Sequence, residues 1–227
     1  SERVTVSAGV PTVWQGLLAH VEANDLKFST MRRTIIGGSA CPPAMMRAFQ
    51  QRYDVQVLHA WGMTEMSPLG TACTLKPKHD GLNADERMAV QAKQGRAVFG
   101  VDMKIVGEDG QQLPHDGKAF GRLMVRGPSV ARAYFKNAGA RNAQGECLEP
   151  CGFFDTGDVA TIDPLGIMQI TDRAKDVIKS GGEWISSIDL ECVAAGHPKV
   201  QQAAVIGIPH PKWDERPLLV VVPRPGE

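Results

Sequence analysis

Three short segments of the sequence combine hydroxyl, carboxylate and glycine residues in patterns that can bind a nucleotide. The first is residues 61–65, Trp-Gly-Met-Thr-Glu, which follow a hydrophobic, strand-like run. In such a segment the Thr64 hydroxyl can donate to a phosphate, and the Glu65 carboxylate can bind the Mg²⁺ that accompanies it. A polar turn would use the same residue types, so this segment alone leaves both interpretations open.

The second segment is residues 155–158, Asp-Thr-Gly-Asp, which precede another strand pattern. The ionised carboxylate of Asp158 can accept two hydrogen bonds at once, which suits the two vicinal hydroxyls of a ribose. Gly157 allows the backbone to approach a ligand closely. Taken by itself, however, this tetrapeptide favours a hairpin or an Asx turn.

The third segment is residues 172–183, which are dense in charge but interrupted by Val177 and Ile178. Arg173 carries a planar fork of donors for a ribose or a phosphate. The pair Gly181-Gly182 leaves bare backbone against which a thin ligand chain can lie. The alternative interpretation is an exposed turn and edge strand whose charges are solvated.

In this order and at these separations, the three segments resemble motifs of the adenylate-forming superfamily of acyl-CoA synthetases, peptide-synthetase adenylation domains and luciferases. Residues 61–65 resemble its aromatic-Gly-x-Thr-Glu motif, and residues 152–158 its G-[WF]-[FL]-x-T-G-D motif. Residues 172–191 resemble D-R-x-K-D-x-I-K-x-G-G-E-x-I-S-x-x-E-L-E. Asp189 stands where this motif usually has glutamate, and Arg122 replaces a glutamate that is common on a family strand.

Within the superfamily, two further stretches are most similar to the medium- and long-chain fatty acyl-CoA ligases. They are residues 181–186, Gly-Gly-Glu-Trp-Ile-Ser, and residues 209–217, Pro-His-Pro-Lys-Trp-Asp-Glu-Arg-Pro. The resemblance covers essentially the whole chain. It implies a reaction in which a small-molecule carboxylic acid attacks the α-phosphorus of ATP, giving an acyl-adenylate and pyrophosphate. The thiol of coenzyme A then attacks the activated carbonyl and releases AMP.

The resemblance also implies a role for each matching residue. Thr64, Glu65 and Arg173 are the implied catalytic residues, Glu65 is also the implied Mg²⁺ ligand, and Asp172 is the implied hinge between a large and a small domain. The residues implied to bind ATP, AMP or coenzyme A are Gly38, Ser39, Ala40, Trp61, Gly62, Thr64, Asp158, Arg173, Gly181, Gly182 and Glu183. Among these, Asp158 would hold the ribose and the last three would line the pantetheine path.

Hydrophobic periodicity predicts the elements that position these residues in the first part of the chain. A helix is predicted from Pro11, a strand over residues 34–36, a helix from Pro42-Pro43 and a strand over residues 55–61. Because a strand–helix–strand sequence of this length is typical of a parallel βαβ unit, both strands should end at one edge of a sheet. Ligands gather at that edge, and the loops at residues 37–39 and 62–65 follow the two strands.

The pattern changes to short strands and hairpins from about residue 95, and to a small β–α–β–β unit beyond residue 172. The predicted elements of the last unit are a strand at 176–179, a helix at about 187–195 and strands at 203–208 and 218–222. We therefore predict a mixed α/β fold with two domains. Residues 1–171 would form the end of a large AMP-binding domain, with a parallel sheet region to about 94 and a β-rich subdomain from about 95. Residues 172–227 would form the hinge and a truncated small domain.

Composition excludes several other classes of protein. The chain of 227 residues has 25 basic and 25 acidic side chains, whereas a protein that coats DNA or RNA needs a basic excess. Hydrophobic residues at 43% and charged residues at 22% exclude disorder and a coiled coil. No apolar run reaches the ~18 residues of a membrane span, and the first residues are no signal peptide, so we expect a cytoplasmic protein.

The five scattered cysteines indicate free thiols in a reducing compartment. Cys147 and Cys151 lack a second Cys/His pair at ligand spacing, so they do not predict a zinc site. The sequence contains no counterpart of the family's phosphate loop or of its distal catalytic lysine, and we expect a central section of a longer enzyme that is inactive by itself.

Three alternatives stay open: a peptide-synthetase adenylation domain that loads a carrier-protein thiol, a nucleotide-binding module without chemistry, and a purely structural α/β domain. The sequence also leaves open the chain length of the acid and the oligomeric state, a homodimer included.

Overall fold

A computed structural model describes residues 2–135, 152–181, 183–224 and 226 of the chain. The helices are α1 (Pro11–Ala23), α2 (Pro43–Arg47), α3 (Ala84–Gln91) and α4 (Ser187–Ala195). The strands are β1 (Val6–Gly9), β2 (Arg33–Ile36), β3 (Gln56–Gly62), β4 (Leu69–Ala72), β5 (Arg96–Ala97), β6 (Asp102–Val106), β7 (Phe120–Arg126), β8 (Phe154–Ile162), β9 (Met168–Arg173), β10 (Ile178–Ser180), β11 (Glu183–Ile185), β12 (Val200–His210) and β13 (Asp214–Pro223). Cys147, Cys151 and Gly182 lie outside the described residues.

The first sheet has the strand order β1-β2-β3-β4-β5. β1, β2 and β3 are parallel, with Ile36 paired to His59, and β4 and β5 continue the sheet in antiparallel fashion. The predicted βαβ unit is therefore confirmed as β2, α2 and β3. β1 was not predicted, because its residues are small or half-exposed and show no hydrophobic alternation.

Helices α1 and α2 cover the parallel strands because each carries one apolar side. α1 begins with Pro11 at its first position, where no backbone N–H donor is needed, and buries Trp14 and Leu18. The indole of Trp14 packs edge-on against Phe49, with ring centroids 6.0 Å apart. Phe49 lies in a π-helical turn, Ala48–Arg52, that continues α2. The predicted second helix is thus present, with a wider final turn.

α3 begins with a capping box that the sequence analysis did not identify. The Asn83 side chain accepts from the Glu86 backbone N–H, and the Glu86 side chain accepts from the Asn83 backbone N–H, both at 2.9 Å. Two of the otherwise unpaired N–H groups at the helix start are thereby satisfied. Ala92 caps the end of the helix, and its carbonyl oxygen contacts the ring of His59 in the middle of β3.

The second sheet is antiparallel, with the order β6-β7-β8-β9, as the hairpin pattern predicted. Its core includes Leu123, Phe154 and Met168, and Trp61 from the first sheet packs into the same cluster. This packing holds the end of β3 against β8. On the second sheet Arg122 forms a salt bridge with Asp155 at 2.7 Å. The arginine that stands where the motif commonly has glutamate is therefore paired with a carboxylate.

The third sheet has the order β11-β10-β13-β12 and packs against α4. β12 and β13 form a hairpin that is longer at both ends than the predicted strands at 203–208 and 218–222. α4 covers the predicted residues, because the Ser186 hydroxyl accepts from the Asp189 N–H and caps its start. None of the described helices is both long and apolar enough to cross a membrane.

Candidate functional site

The loops that follow β2 and β3 lie side by side because the two strands are parallel neighbours. The loop after β2 contains Gly38, Ser39 and Ala40, and the short 3₁₀ turn Thr64–Met66 follows β3. Gly62 makes the second loop possible: a Cβ atom at this position would lie 1.9 Å from the carbonyl oxygen of Pro68. Gly38 has φ +85°, a conformation that glycine adopts without strain.

Trp61, Asp158 and Arg173, from three different strands, meet in one hydrogen-bonded group. The Trp61 Nε1–H donates to Asp158 Oδ2 at 2.9 Å, and Arg173 Nε lies 2.9 Å from Asp158 Oδ1. The Asp158 side chain is only 4% exposed, whereas that of Arg173 is 58% exposed. The group therefore pairs the buried carboxylate of Asp158 with the partly solvated guanidinium of Arg173.

The electrostatic balance at Asp158 follows from this burial. Loss of solvent raises the pKa of the Asp158 carboxyl, and the nearby Asp155 acts in the same direction. The Arg173 guanidinium and the Trp61 N–H act in the opposite direction without cancelling the effect of burial. A carboxylate accepts about four hydrogen bonds in all, so the two donors leave acceptor capacity for two more. Two hydroxyls are what a ribose presents.

Thr64 and Glu65 lie one turn beyond Trp61, at the carboxyl end of β3. Thr64 is exposed and Glu65 is half-buried. The Tyr134 hydroxyl donates to Glu65 Oε1 at 2.5 Å, and the Ala131 N–H donates to the Glu65 carbonyl at 2.6 Å. Within the described part of the chain, no three His, Cys, Asp or Glu residues form a metal cluster. A single carboxylate still suits Mg²⁺, which takes most of its ligands from phosphates and water.

The remaining predicted site residues belong to other surroundings. Asp172 is 1% exposed, and its carboxylate accepts from the Ser187 N–H at 2.7 Å. Gly181 directly follows β10 of the third sheet, and its N–H donates to the Trp213 carbonyl at 2.9 Å. The backbone of Glu183 pairs with Ser180 in the same sheet. The structure thus assembles the nucleotide candidates on the first two sheets and the pantetheine candidates on the third.

Two residues at the site were missed by the sequence analysis. His59 is buried in the middle of β3, at the last residue paired with β2, and its ring nitrogens lie 2.7 Å from the Ala92 carbonyl oxygen and 3.3 Å from the Cys41 backbone nitrogen. Its place two residues before Trp61 was a usable signal, since residues two apart lie on the same face of a strand. Tyr134 gave no such signal, because 69 residues separate it from Glu65.

Comparison with protein families identifies the chain's relatives. A family described as AMP-binding enzyme matches residues 1–135, and one described as AMP-binding enzyme C-terminal domain matches residues 189–227. The chain belongs to the AMP-binding enzyme family. The first match includes the loops after β2 and β3, and the second includes most of α4 and the β12–β13 hairpin.

Curated relatives extend this result over the whole chain. It is 55% identical over 224 residues to a 3-methylmercaptopropionyl-CoA ligase of Ruegeria lacuscaerulensis, which covers 99% of the chain and 40% of that relative. It is 51% identical over 226 residues to a medium-chain-fatty-acid–CoA ligase of Ectopseudomonas oleovorans, which covers 100% of the chain and again 40% of the relative. The chain therefore spans about 40% of the length of these relatives.

Solved structures show the same fold. The o-succinylbenzoate CoA synthetase of Bacillus subtilis, in complex with the acyl-adenylate intermediate OSB-AMP, matches with a TM-score of 0.79 and 28% identity over 98% of this chain and 42% of that one. The ATP-bound MatB of Rhodopseudomonas palustris matches with a TM-score of 0.80 and 30% identity, over 99% of this chain and 42% of that one. The predicted mixed α/β architecture with a parallel sheet is thereby confirmed.

Proposed function

We propose that this chain is the nucleotide-binding centre of an ATP-dependent acid–CoA ligase. The observation that carries the proposal is the group formed by Trp61, Asp158 and Arg173 beside the loops that follow β2 and β3. It combines a buried acceptor for a ribose with an exposed cation for a phosphate. Membership of the AMP-binding enzyme family supports a nucleotide as the ligand.

In the proposed reaction, an oxygen of the substrate carboxylate attacks the α-phosphorus of ATP and pyrophosphate leaves. The sulfur of coenzyme A then attacks the carbonyl carbon of the acyl-adenylate, and AMP leaves. The protein contributes by positioning the reactants and by balancing charge. Asp158 would accept from the two ribose hydroxyls, the Thr64 hydroxyl would donate to a phosphate, and Arg173 would stabilise negative charge there.

Glu65 is the residue that we propose to hold Mg²⁺, which neutralises phosphate charge when it is bound. The Tyr134 hydroxyl, by donating to one carboxylate oxygen of Glu65, fixes the orientation of this side chain. Gly38, Ser39, Ala40 and Gly62 would form the loops around the adenine. The ring of Trp61 would border the same pocket while its N–H holds Asp158 in place.

Asp172 is the proposed hinge, because it lies at the end of β9, directly before the chain enters the third sheet. Rotation of residues 172–227 would exchange the adenylation pose for the thioester pose. In the second pose, the turn at Gly181, Gly182 and Glu183 would line the path of the pantetheine arm. Residues 1–171 and 172–227 are the two proposed domains.

The acid that we propose is a medium- or long-chain fatty acid, as two relatives are named for such substrates. A second candidate is 3-methylmercaptopropionate, because the relative named for its CoA thioester is 55% identical. Relatives of this similarity are named CoA ligases, which favours coenzyme A over a carrier-protein thiol as acceptor. We also propose a cytoplasmic location, where the buried thiols of Cys41 and Cys73 would stay reduced.

ATP–pyrophosphate exchange by the complete gene product tests this function. The panel of acids contains 3-methylmercaptopropionate, octanoate and palmitate, and CoA thioester formation is followed in parallel. We expect exchange with at least one acid and thioester formation with coenzyme A but not with a phosphopantetheinyl carrier protein. Nucleotide binding without exchange for any acid would contradict the proposal and favour a module without chemistry.

A further inference from the structure

His59 connects the loop after β2 with the end of α3. The residue is 1% exposed and lies in the middle of β3, where it pairs with Ile36 at the end of β2. One ring nitrogen, Nδ1, lies 2.7 Å from the carbonyl oxygen of Ala92 at the end of α3. The other, Nε2, lies 3.3 Å from the backbone nitrogen of Cys41, in the loop that follows β2.

These two partners determine the tautomer of the ring. A carbonyl oxygen only accepts, so Nδ1 carries the proton and donates to Ala92. A backbone N–H only donates, so Nε2 is unprotonated and accepts from Cys41. The end of α3 carries the partial negative charge of the helix, which also favours a donor at Nδ1. The neutral ring therefore links α3 to the loop that contains Gly38, Ser39 and Ala40.

We propose that His59 is a positioning residue, which fixes the loop after β2 in the shape that receives the adenine by accepting from the Cys41 N–H. The inference rests on the proposed function, because that loop is the proposed adenine contact. Cys41 is buried, so without His59 its N–H would lose its acceptor away from water, and the loop would rearrange to find another. No contact of His59 with the nucleotide is required.

The charge state of His59 gives the inference a dependence on pH. Burial lowers the pKa of the imidazole from 6.5, although the carbonyls of Ala92 and Ser39 act against this effect. Below that lowered pKa, a proton on Nε2 would replace the acceptor with a second donor that faces the Cys41 N–H. The loop would then exchange its anchor at the Cys41 N–H for one at the Ser39 carbonyl as the pH falls, and adenine binding would weaken in the same range.

The titratable groups that the structure places against His59 are Cys41, in the loop after β2, and Cys73, which follows β4 and donates its backbone N–H to the His59 carbonyl oxygen. Burial raises the pKa of Cys41 to about 12 and that of Cys73 to about 11, so neither thiol titrates in the range of interest.

Calorimetric titration with adenosine tests the inference, since this probe has no phosphate that titrates near neutral pH. His59→Gln preserves both hydrogen bonds, because its amide offers a donor and an acceptor at a similar separation, but it takes up no proton. His59→Leu removes both. At about pH 8 we expect wild-type affinity for His59→Gln and a roughly tenfold loss for His59→Leu. As the pH is lowered stepwise from about 6.5, the wild type should begin to lose affinity at a higher pH than His59→Gln does.

Hydrogen exchange at the Cys41 amide provides a readout that does not depend on the ligand. We expect this amide to be protected in the wild type and in His59→Gln, and to exchange faster in His59→Leu. If His59→Leu does not fold, the different pH profiles of the wild type and His59→Gln still carry the test. Identical profiles, or a Cys41 amide equally protected in all three proteins, would overturn the role of His59.

Asp158→Ala separates this inference from the proposed function. One outcome is that Asp158→Ala binds adenosine more weakly while both His59 variants behave like the wild type. This outcome would support the nucleotide site and overturn only the role of His59. Adenosine binding that is insensitive to Asp158→Ala would instead contradict the proposed function. In that case the exchange of the Cys41 amide would still report whether His59 holds the loop.

Discussion

At the scale of single residues, Asp158 shows how one carboxylate can serve both the fold and a ligand. Trp61 occupies one oxygen and Arg173 the other, so the carboxylate cannot rotate freely. Because two fixed donors already define its plane, a ribose would meet acceptors that need no further ordering. The cost is a buried charge, which is reflected in the raised pKa of Asp158.

Replacement of Asp158 by alanine should weaken AMP binding strongly. Each lost charge-assisted hydrogen bond costs about 1.5–3 kcal/mol, so loss of two should lower the affinity on the order of a hundredfold or more. Titration of AMP into the variant measures this. Asp102→Ala is the matched control, because Asp102 also pairs with an arginine, at 2.6 Å, but both side chains of that pair are more than half exposed. Equal AMP affinity in the two variants would remove Asp158 from the site.

At the scale of elements, α3 supports the site indirectly, since its terminal carbonyl at Ala92 holds His59. The helix has only eight residues and an exposed start, so its stability depends on the capping box between Asn83 and Glu86. α3 therefore acts on the proposed nucleotide site through the backbone carbonyl of Ala92, and none of its side chains needs to contact the ligand.

Replacement of Asn83 by alanine should lower the free energy of unfolding by about 1 kcal/mol, the usual cost of a lost N-cap. Urea denaturation followed by circular dichroism measures the change. Gln15→Ala, an exposed substitution in the interior of α1, serves as control and should leave the stability unchanged or slightly higher. A change at Asn83 no larger than the change at Gln15 would show that the capping box does not stabilise the fold.

The junction between β9 and the third sheet carries a second prediction. Asp172 holds the start of α4 through the Ser187 N–H, so a proline there would alter both the backbone and this contact. Asp172→Ala removes the contact alone, whereas Asp172→Pro also fixes φ near about −65°. In the complete gene product, we expect adenylation to persist in both variants and thioester formation to fall further in Asp172→Pro.

Pyrophosphate exchange and CoA thioester formation measure these two half-reactions separately. A hinge at Asp172 requires that the ratio of thioester formation to adenylation be lower in the proline variant than in the alanine variant. If the two variants show the same ratio, the hinge lies at another residue. The effect of either substitution then comes from loss of the hydrogen bond between the Asp172 carboxylate and the Ser187 N–H at the start of α4.

At the scale of the whole molecule, the β12–β13 hairpin exposes a row of apolar side chains. Leu219, Val220 and Val222 are 47–51% exposed, although they lie on strands of a sheet. Exposed apolar surface of this kind usually contacts another segment or protein. The chain covers about 40% of two curated relatives, and those relatives therefore contain further residues that can make such a contact.

We predict that the 227 residues alone form no measurable acyl-CoA. No phosphate loop or distal lysine like those of the family occurs among them, and removal of a single preorganised donor already costs about 10²–10³ in rate. An assay of the purified chain with ATP, Mg²⁺, coenzyme A and fatty acids checks this, with the complete gene product as positive control. Clear turnover by the chain alone would contradict the prediction and the importance of those two missing contributors.

The sequence predicted most elements because their signals are local. Pro11 and the apolar side of α1, the strands around the βαβ unit and the turns between hairpins each depend on neighbouring residues. β1 and α3 are among the elements that were missed, along with β4, β5 and β11, and these two were missed for different reasons. β1 is short and half-exposed, whereas α3 is mostly polar and depends on the cap at Asn83.

The sequence by itself determined the candidate residues and the family. The reason is that the motifs are short and local, and their order and spacing along the chain can be compared directly with those of the family. Only the tertiary structure decided which of them meet. Trp61 and Asp158 are 97 residues apart, and their hydrogen bond exists because the end of β3 packs into the core of the second sheet. The bridge of His59 to Cys41 and Ala92 likewise requires β2, β3 and α3 to be in place. Such contacts depend on how sheets and helices pack, and no local pattern in the chain encodes that.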